Sequence, residues 1–258
     1  MEPIYFGKSS SPLYGVYHAP DTNVYKERAV LLCYPGGHEY MRIHRAYRQL
    51  ASQLNKIGCH AFRFDYFGTG DSAGDHHEIK MTRWIEDVHS AVKELQALSN
   101  VRYVDLVGLR LGSLVAAKVA SDLKSIKRLV LWEPMLSGQQ FIDEMKNHIT
   151  EYGASKSNFI DRQQSLHLNG YEFSKESLQS ITELSVDALD WNNKPKTLSL
   201  TAREESIQPV NEYFKSKIAN YKMSFVPGLK DWNTLDAIGG LFLPMDSVNA
   251  ISSWIENN

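Results

Sequence analysis

Five residues, Gly108-Leu109-Arg110-Leu111-Gly112, constrain the fold of this chain more strongly than any other stretch. A largely apolar run, residues 104–107, precedes them, and a helix-forming stretch, residues 113–120, follows them. A strand, a Gly-x-x-x-Gly turn and a helix in this order are typical of a nucleophile elbow. The central residue of such an elbow lies on a strained turn at the top of an α/β sheet. The sequence therefore predicts an α/β fold with Arg110 at the centre of this turn.

The residue at that centre decides which chemistry the turn can support. Acyl transfer or ester hydrolysis needs a nucleophile such as Ser, Cys or Asp at the position of Arg110. The guanidinium of an arginine stays protonated at any working pH, so it cannot act as a nucleophile. The turn thus predicts the fold but argues against the reaction that such turns usually serve.

Strands and helices alternate through most of the chain, and several strands are continuous apolar runs. This pattern favours a mainly parallel sheet with helices on both faces. The alternation lapses over residues 135–193, so we expect a first part of the core (1–134), a helical cap insertion (135–193) and a second part of the core (194–258). The predicted strands are 4–6, 13–17, 29–34, 60–64, 104–107, 129–132, 197–201 and 222–226, and the predicted helices are 45–57, 81–99, 113–120, 139–150, 175–184, 211–218 and 247–255.

Composition excludes several classes of function. The 258 residues carry a formal net charge of -2, which gives no reason to expect a nucleic-acid partner. The N-terminal residues lack the apolar core of a signal peptide, and no apolar run is long enough to span a bilayer. Cys33 and Cys59 fall on or beside buried strands, which fits a reducing cytoplasm. His76 and His77 lie in a polar loop that we expect to face solvent, without a third ligand, so we predict no metal site and no cofactor.

Several further stretches carry a resemblance to a known superfamily. Tyr34-Pro35-Gly36-Gly37 and Phe64-Asp65-Tyr66-Phe67-Gly68-Thr69-Gly70-Asp71-Ser72, together with the elbow, resemble the α/β hydrolases, and within them the serine-aminopeptidase-like hydrolases. Leu131-Trp132-Glu133-Pro134, Gly138 and Gly170-Tyr171-Glu172-Phe173-Ser174 are similar to small bacterial hydrolase-like proteins encoded with exosortase, polysaccharide or secondary-metabolite systems. The resemblance implies an eight-stranded, mostly parallel sheet with a helical cap.

The resemblance also implies where a catalytic acid and base would lie. In such hydrolases the nucleophile comes first along the chain, the acid second and the histidine base last. The acid position after the strand 197–201 matches Glu205, with Glu204 beside it. The base belongs in the loop 227–233, where Trp232 or Asn233 occupies the relevant region. The last histidine of the chain is His167, so the base is missing as well as the nucleophile. Two losses in one catalytic set argue against a hydrolytic triad.

The backbone half of such a site is retained in the sequence. The resemblance implies an oxyanion hole formed by the N–H groups of Leu111 and of Gly36 or Gly37. Arg110 would add a five-donor cation there, suited to an anionic or carbonyl-bearing small molecule, with Trp232 nearby. The alternative is that Arg110 is neutralised internally, by Glu133, Glu204, Glu205 or Asp65.

Two serines near these motifs could in principle replace the missing nucleophile. Ser113 follows Arg110 by three residues, and Ser72 closes the aspartate–glycine loop. Neither has an evident histidine partner, so we expect Ser113 to bond at the helix start and Ser72 to stabilise the turn. Asp65 and Asp71 are expected to hold the same loop by accepting backbone N–H bonds.

Three functions remain open at this point. The first is a non-hydrolytic protein that binds an anionic or acyl small molecule, or serves as an accessory with a protein partner in a bacterial biosynthetic system. The second is an acyl transferase, thioesterase or lyase with a rearranged site, using Arg110 as a clamp with Glu205, Glu133 or His38. The third is a protein-interaction scaffold that works through the surface of its cap.

Overall fold

A computed structural model describes residues 1–20, 27–152, 159–228 and 243–258, with the side chains of residues 151 and 152 excepted. The strands are β1 (Glu2–Lys8), β2 (Ser11–His18), β3 (Ala29–Cys33), β4 (His60–Phe64), β5 (Val104–Leu109), β6 (Ile126–Trp132), β7 (Phe159–Ile160), β8 (Leu166–Leu168), β9 (Tyr171–Phe173), β10 (Lys196–Thr201) and β11 (Tyr221–Phe225). The central sheet has eight strands in the order β1-β2-β4-β3-β5-β6-β10-β11. Strand β2 pairs antiparallel with β1 and β4, and the other neighbours pair in parallel. The predicted fold class, a mostly parallel eight-stranded sheet, is confirmed.

The helices cover the sheet on both faces. Every residue of β3, β4 and β5 is buried, as expected for parallel strands between two helical layers. The helices are α1 (His38–Lys56), α2 (Met81–Ser99), α3 (Leu111–Asp122), α4 (Gly138–Tyr152), α5 (Lys175–Thr182), α6 (Glu204–Lys217) and α7 (Met245–Asn257). Helix α1 packs against α7, and α2 packs against α3. Within the described ranges, no helix combines the length and the apolar character needed to cross a membrane.

Two helices begin about two turns earlier than the sequence predicts. Helix α1 starts at His38 because Gly37, with φ of 58°, turns the chain straight from the glycine turn into the helix. Helix α6 starts at Glu204, although Pro209 favoured a loop there, and the proline lies inside the helix. Both early turns carry acidic residues: Glu39 on α1, which the sequence did not single out, and Glu204 and Glu205 on α6, which were expected on a loop.

The segment between β6 and β10 contains α4 and α5, as expected, and also a small sheet that the sequence did not predict. Strands β7, β8 and β9 form an antiparallel sheet. Strands of two or three residues are too short for an alternating pattern to be detected. The available signal was Asn169-Gly170, since both residues have positive φ and this pair favours a two-residue hairpin turn.

Candidate functional site

The turn between β5 and α3 keeps the backbone geometry of a nucleophile elbow. Arg110 has φ of 53° and ψ of -121°, a backbone conformation that residues other than glycine rarely adopt. The flanking glycines allow this tight turn. A Cβ on Gly108 would lie 2.5 Å from the carbonyl oxygen of Gly112, and a Cβ on Gly112 would lie 2.2 Å from that of Tyr34. The strain is therefore held in place by close backbone packing on both sides.

The side chain of Arg110 does not point to solvent; it is buried, with 1% of the residue exposed. Its Nε and Nη2 atoms donate to Oε1 of Glu39, at 3.1 and 3.0 Å, and Nη2 also donates to Oε2 of Glu144 at 2.6 Å. Glu39 lies on the first turn of α1, and Glu144 lies on the cap helix α4. Arg110 is thus neutralised internally, as one alternative proposed, but its partners are not the four carboxylates that the sequence suggested.

Those four carboxylates have other places. Glu133 is buried and accepts from the hydroxyl of Thr201 at 2.9 Å and from the N–H of Ala202 at 2.7 Å, so it joins the ends of β6 and β10. Burial raises the pKa of Glu133. Glu204 and Glu205 are exposed on the first turn of α6. The acid position implied by the resemblance is therefore far more open to water than Arg110 is.

The fourth carboxylate, Asp65, holds the aspartate–glycine loop, as expected. It accepts from the hydroxyl of Tyr40 at 2.7 Å and from the N–H of Asp71 at 3.0 Å. The hydroxyl of Ser72 donates to the carbonyl of Asp65 at 2.6 Å and accepts from the N–H of Tyr14 at 2.8 Å. Ser72 therefore stabilises the turn.

The other serine, Ser113, also has a structural role. Its hydroxyl donates to the carbonyl of Arg110 at 2.6 Å and accepts from the N–H of Met135 at 3.4 Å. It therefore bonds at the start of α3, as predicted, and links that start to the first residues after β6.

Glu144 extends the ion pair to a second arginine. Arg203, the residue before α6, donates from Nη1 to Oε1 of Glu144 at 2.7 Å and from Nη2 to Oε2 at 3.3 Å. Burial by itself raises the pKa of Glu144, but Arg110 and Arg203 together lower it to about 2. The cap helix therefore contributes a carboxylate that is ionised at neutral pH and is held by two core arginines.

The pKa of Glu39 is raised, whereas that of Glu144 is lowered, although both carboxylates pair with the guanidinium of Arg110. Glu39 is fully buried, and burial raises its pKa more than Arg110 lowers it. Both bonds from Arg110 go to Oε1, and Oε2 has no hydrogen-bond partner among the described residues. Burial also acts to lower the pKa of Arg110, but Glu39 and Glu144 outweigh it and the net pKa is raised. The guanidinium is therefore fixed in its charged form.

The glycine turn after β3 lies beneath two aromatic side chains of the cap. A Cβ on Gly37 would lie 2.9 Å from the ring of Phe173, and a Cβ on Gly36 would lie 3.2 Å from the side chain of Leu111 and 3.7 Å from the ring of Phe141. Both phenylalanines are buried. The glycine turn and Leu111, which the resemblance implies for an oxyanion hole, thus lie close together, but cap side chains pack directly over the turn.

Two other predicted site residues have different outcomes. His38 is buried at the start of α1, next to the glycine turn. Trp232, together with Asn233 and most of the loop expected to hold a base, lies outside the described residues.

The structure also groups metal-ligating side chains that the sequence did not bring together. Ligand atoms of Asp161, His167 and Glu172 lie within 4.8 Å of one another on the cap sheet. Nε2 of His167 lies 3.2 Å from Oδ2 of Asp161, so pairing across the hairpin accounts for their closeness. The prediction that His76 faces solvent is wrong. Its Nδ1 lies 2.7 Å from the carbonyl oxygen of Glu172, and its ring packs against Phe173.

The sheet order, the elbow and the inserted cap define an α/β-hydrolase fold. Residues 25–169 match the family described as Serine aminopeptidase, S33. This match spans more than half of the chain, so the protein belongs to that family. No curated protein sequence matches the chain significantly.

Solved structures with the same fold have diverse activities. Est1E from Butyrivibrio proteoclasticus, solved with bound ferulic acid, is 18% identical with a TM-score of 0.69, over 98% of this chain and 97% of that one. XC6422 from Xanthomonas campestris, described as an α/β serine hydrolase without a lid, is 14% identical with a TM-score of 0.63, over 99% and 94%. The bottromycin epimerase BotH, in complex with bottromycin A2, is 11% identical with a TM-score of 0.62, over 98% and 99%. At these identities the likeness establishes the fold alone.

Proposed function

We propose that this protein is a non-hydrolytic member of its family, acting as a binding or accessory protein of a bacterial biosynthetic system. One observation carries the proposal: the elbow holds a buried arginine whose charge is balanced by Glu39 and Glu144. The position that would supply a nucleophile instead supplies an ion pair that joins the core to the cap helix α4. The former catalytic centre is, in this view, a structural connection.

Hydrolysis by the usual route lacks two of its parts. The attacking group at the elbow must be a nucleophile such as the side chain of Ser, Cys or Asp, and Arg110 is none of these. The chain contains no histidine after His167, so the loop after β11 cannot contribute an imidazole. A serine elsewhere does not replace the nucleophile, since the hydroxyl of Ser113 is committed to the carbonyl of Arg110.

The ion pair also argues against Arg110 as a clamp for an anionic ligand. Two carboxylates already accept its hydrogen bonds, at 3.0 and 2.6 Å. An incoming anion would have to displace Glu144 and leave that carboxylate beside a second negative charge. Such a like-charge arrangement in a poorly solvated site is costly. We therefore place any anion-binding role of this protein away from the elbow.

A second candidate function, an enzyme with a rearranged site, rests on Glu39. Its Oε2 atom is buried without a hydrogen-bond partner in the described ranges, and burial raises its pKa. A buried carboxyl group with a raised pKa is a candidate general acid or base. Glu39 fits this role better than Glu133, whose two oxygens both accept bonds, or Glu205, which is exposed. The cap would have to open for a substrate to reach it.

Turnover assays on the full chain separate the two candidates. We expect the wild-type protein to hydrolyse p-nitrophenyl butyrate and an acyl thioester no faster than buffer does. The Arg110→Ser variant should stay inactive, because a restored hydroxyl still lacks a base. Lys118→Met, which alters an exposed ion pair on α3, is the matched control. Turnover by the wild type that disappears in Glu39→Gln but persists in Lys118→Met would refute the accessory role and support the enzyme.

A further inference from the structure

A separate cavity of about 250 Å³ lies between α1, β2 and the end of β4. Helix α1 contributes Tyr40, His44 and Arg48, whose spacing of four places them on one face of the helix. Glu39, one position before this series, reaches Arg110 instead. The cavity is therefore distinct from the elbow, and what it binds does not depend on the fate of the former catalytic centre.

The floor of the cavity holds a buried arginine, Arg63, on strand β4. Its Nε donates to Nε2 of His18 at 3.1 Å, and its Nη1 donates to the hydroxyl of Tyr34 at 3.3 Å. Both acceptors are neutral at pH 7: burial, helped by Arg63, lowers the pKa of His18 to about 4, and burial raises that of Tyr34 to about 12. A guanidinium has five N–H donors, and these two bonds use two of them.

The charge of Arg63 is unusual for its location. Arginines are almost never fully buried unless they are paired with a carboxylate or another anion. Among the residues that the structure describes, no carboxylate lies within ion-pair distance of Arg63. Arg63 therefore offers unused donors, and a positive charge without an ion-pair partner among the described residues, to whatever occupies the cavity.

Two carboxylates at the side of the cavity limit the charge of an occupant. Asp65 and Asp71 both line it, and Asp65 is already held by the hydroxyl of Tyr40 and the N–H of Asp71. Their negative charge favours a monoanion over a dianion, because each further charge on the ligand adds repulsion. The mouth is formed by exposed residues, among them His44 and Arg48.

Tyrosine rings give the cavity an apolar wall. The rings of Tyr34 and Tyr40 lie 4.8 Å apart between centroids, tilted by 48°, and Tyr14 and Val16 line the facing side from β2. The volume lies below the range of about 300–1,000 Å³ that is usual for drug-sized ligands. The occupant is therefore small, and a flat apolar group matches the rings.

We propose that this cavity binds a small aromatic monocarboxylate, whose carboxylate pairs with Arg63 and whose ring lies against Tyr34 and Tyr40. The planar guanidinium fork can bond a carboxylate with two parallel N–H groups. It would supply the negative partner that Arg63 lacks in the described structure.

Benzoate is the probe that tests this site, by calorimetric titration of the full chain at low ionic strength. We expect saturable binding at one site and at least about tenfold weaker binding to Arg63→Met, the loss that follows from removing charge-assisted hydrogen bonds. Arg102→Met, the same substitution at an exposed arginine, should bind benzoate like the wild type. Acetate should bind more weakly than benzoate, and inorganic phosphate should not compete with it.

A second variant keeps the test valid if Arg63→Met does not fold. Val16→Phe fills the cavity from β2 without removing any charge, and it should abolish benzoate binding while circular dichroism shows an unchanged fold. No saturable binding of benzoate to the wild type would overturn the proposal. Equal binding by Arg63→Met or Val16→Phe, or tighter binding of phosphate than of benzoate, would overturn it as well. None of these results bears on hydrolysis at the elbow, so the two proposals stand or fall separately.

Discussion

Replacing Arg110 by methionine tests most directly whether the elbow has become a structural ion pair. The substitution keeps an unbranched side chain but removes the guanidinium, which is 2% exposed as a side chain and makes three hydrogen bonds to carboxylates. Glu39, with its side chain at 0% exposure, is then left without a counter-charge. Breaking a buried ion pair from one side costs about 3–5 kcal/mol. Domains of this kind are stable by only about 5–15 kcal/mol, so the loss should be large.

The cost of Arg110→Met should also depend on pH, with a sign that the structure fixes. Burial already raises the pKa of Glu39 in the folded protein, and loss of Arg110 removes the strongest opposing effect. A group whose folded pKa is raised contributes stability at low pH and loses it as the pH rises through the folded pKa. The variant should therefore lose stability relative to the wild type as the pH rises above the ordinary glutamate pKa of about 4.3. The difference should shrink as the pH falls toward that ordinary value and Glu39 takes up a proton.

Urea unfolding followed by far-UV circular dichroism measures these free energies by linear extrapolation. The double variant Arg110→Met/Glu39→Gln should recover much of the stability, because the buried charge is then gone from both sides. Lys118→Met is the control, since its pair with Asp122 is 33% exposed on both sides and should contribute less than about 1 kcal/mol. The reasoning is refuted if Arg110→Met lowers the free energy of unfolding no more than Lys118→Met does. It is also refuted if Glu39→Gln destabilises the Arg110→Met variant as much as it destabilises the wild type.

Three further substitutions test the surroundings of the site. Glu144→Gln should lower the free energy of unfolding by about 2 kcal/mol at pH 7, because two charge-assisted interactions are weakened. The pKa of Glu144 in the folded protein is lowered to about 2, so its contribution to stability is present above about pH 4.5. In unfolding curves the difference between the variant and the wild type should vanish as the pH falls toward 2. Glu133→Ala should cost about 2–4 kcal/mol in urea unfolding, since the hydroxyl of Thr201 and a buried backbone N–H lose their acceptor; a cost under about 0.5 kcal/mol would contradict that role. Gly112→Ala should lower the free energy of unfolding by about 3 kcal/mol, because its Cβ would overlap a backbone oxygen at 2.2 Å. The thermal midpoint should fall accordingly. Gly228→Ala, whose Cβ would meet only ordinary contacts, should change stability by less than about 0.5 kcal/mol, and an equal effect of the two would argue against close packing at the elbow.

Much of the backbone could be predicted from the sequence, because local patterns determine it. A continuous apolar run identified β3, and the spacing of apolar residues gave the bounds of α2 without error. The Gly-x-x-x-Gly turn gave the elbow, and its strained conformation at Arg110 is what that pattern predicts. The missing histidine after His167 needs no structure at all. Side-chain periodicity and turn residues act over a few positions, so short windows of sequence contain enough information to predict the type of many helices and strands.

Only the tertiary structure decided what the side chain of Arg110 contacts. Glu39 is 71 residues away in sequence and Glu144 is 34 away, while the nearer suggestion, Glu133, is turned toward β10. The cavity around Arg63 likewise joins one face of α1 to two strands. Such pairings depend on how each helix is rotated and placed against the sheet, and this is set by packing of the whole core. A composition or motif does not contain that rotation, so the fold could be predicted while the partners of its central arginine could not.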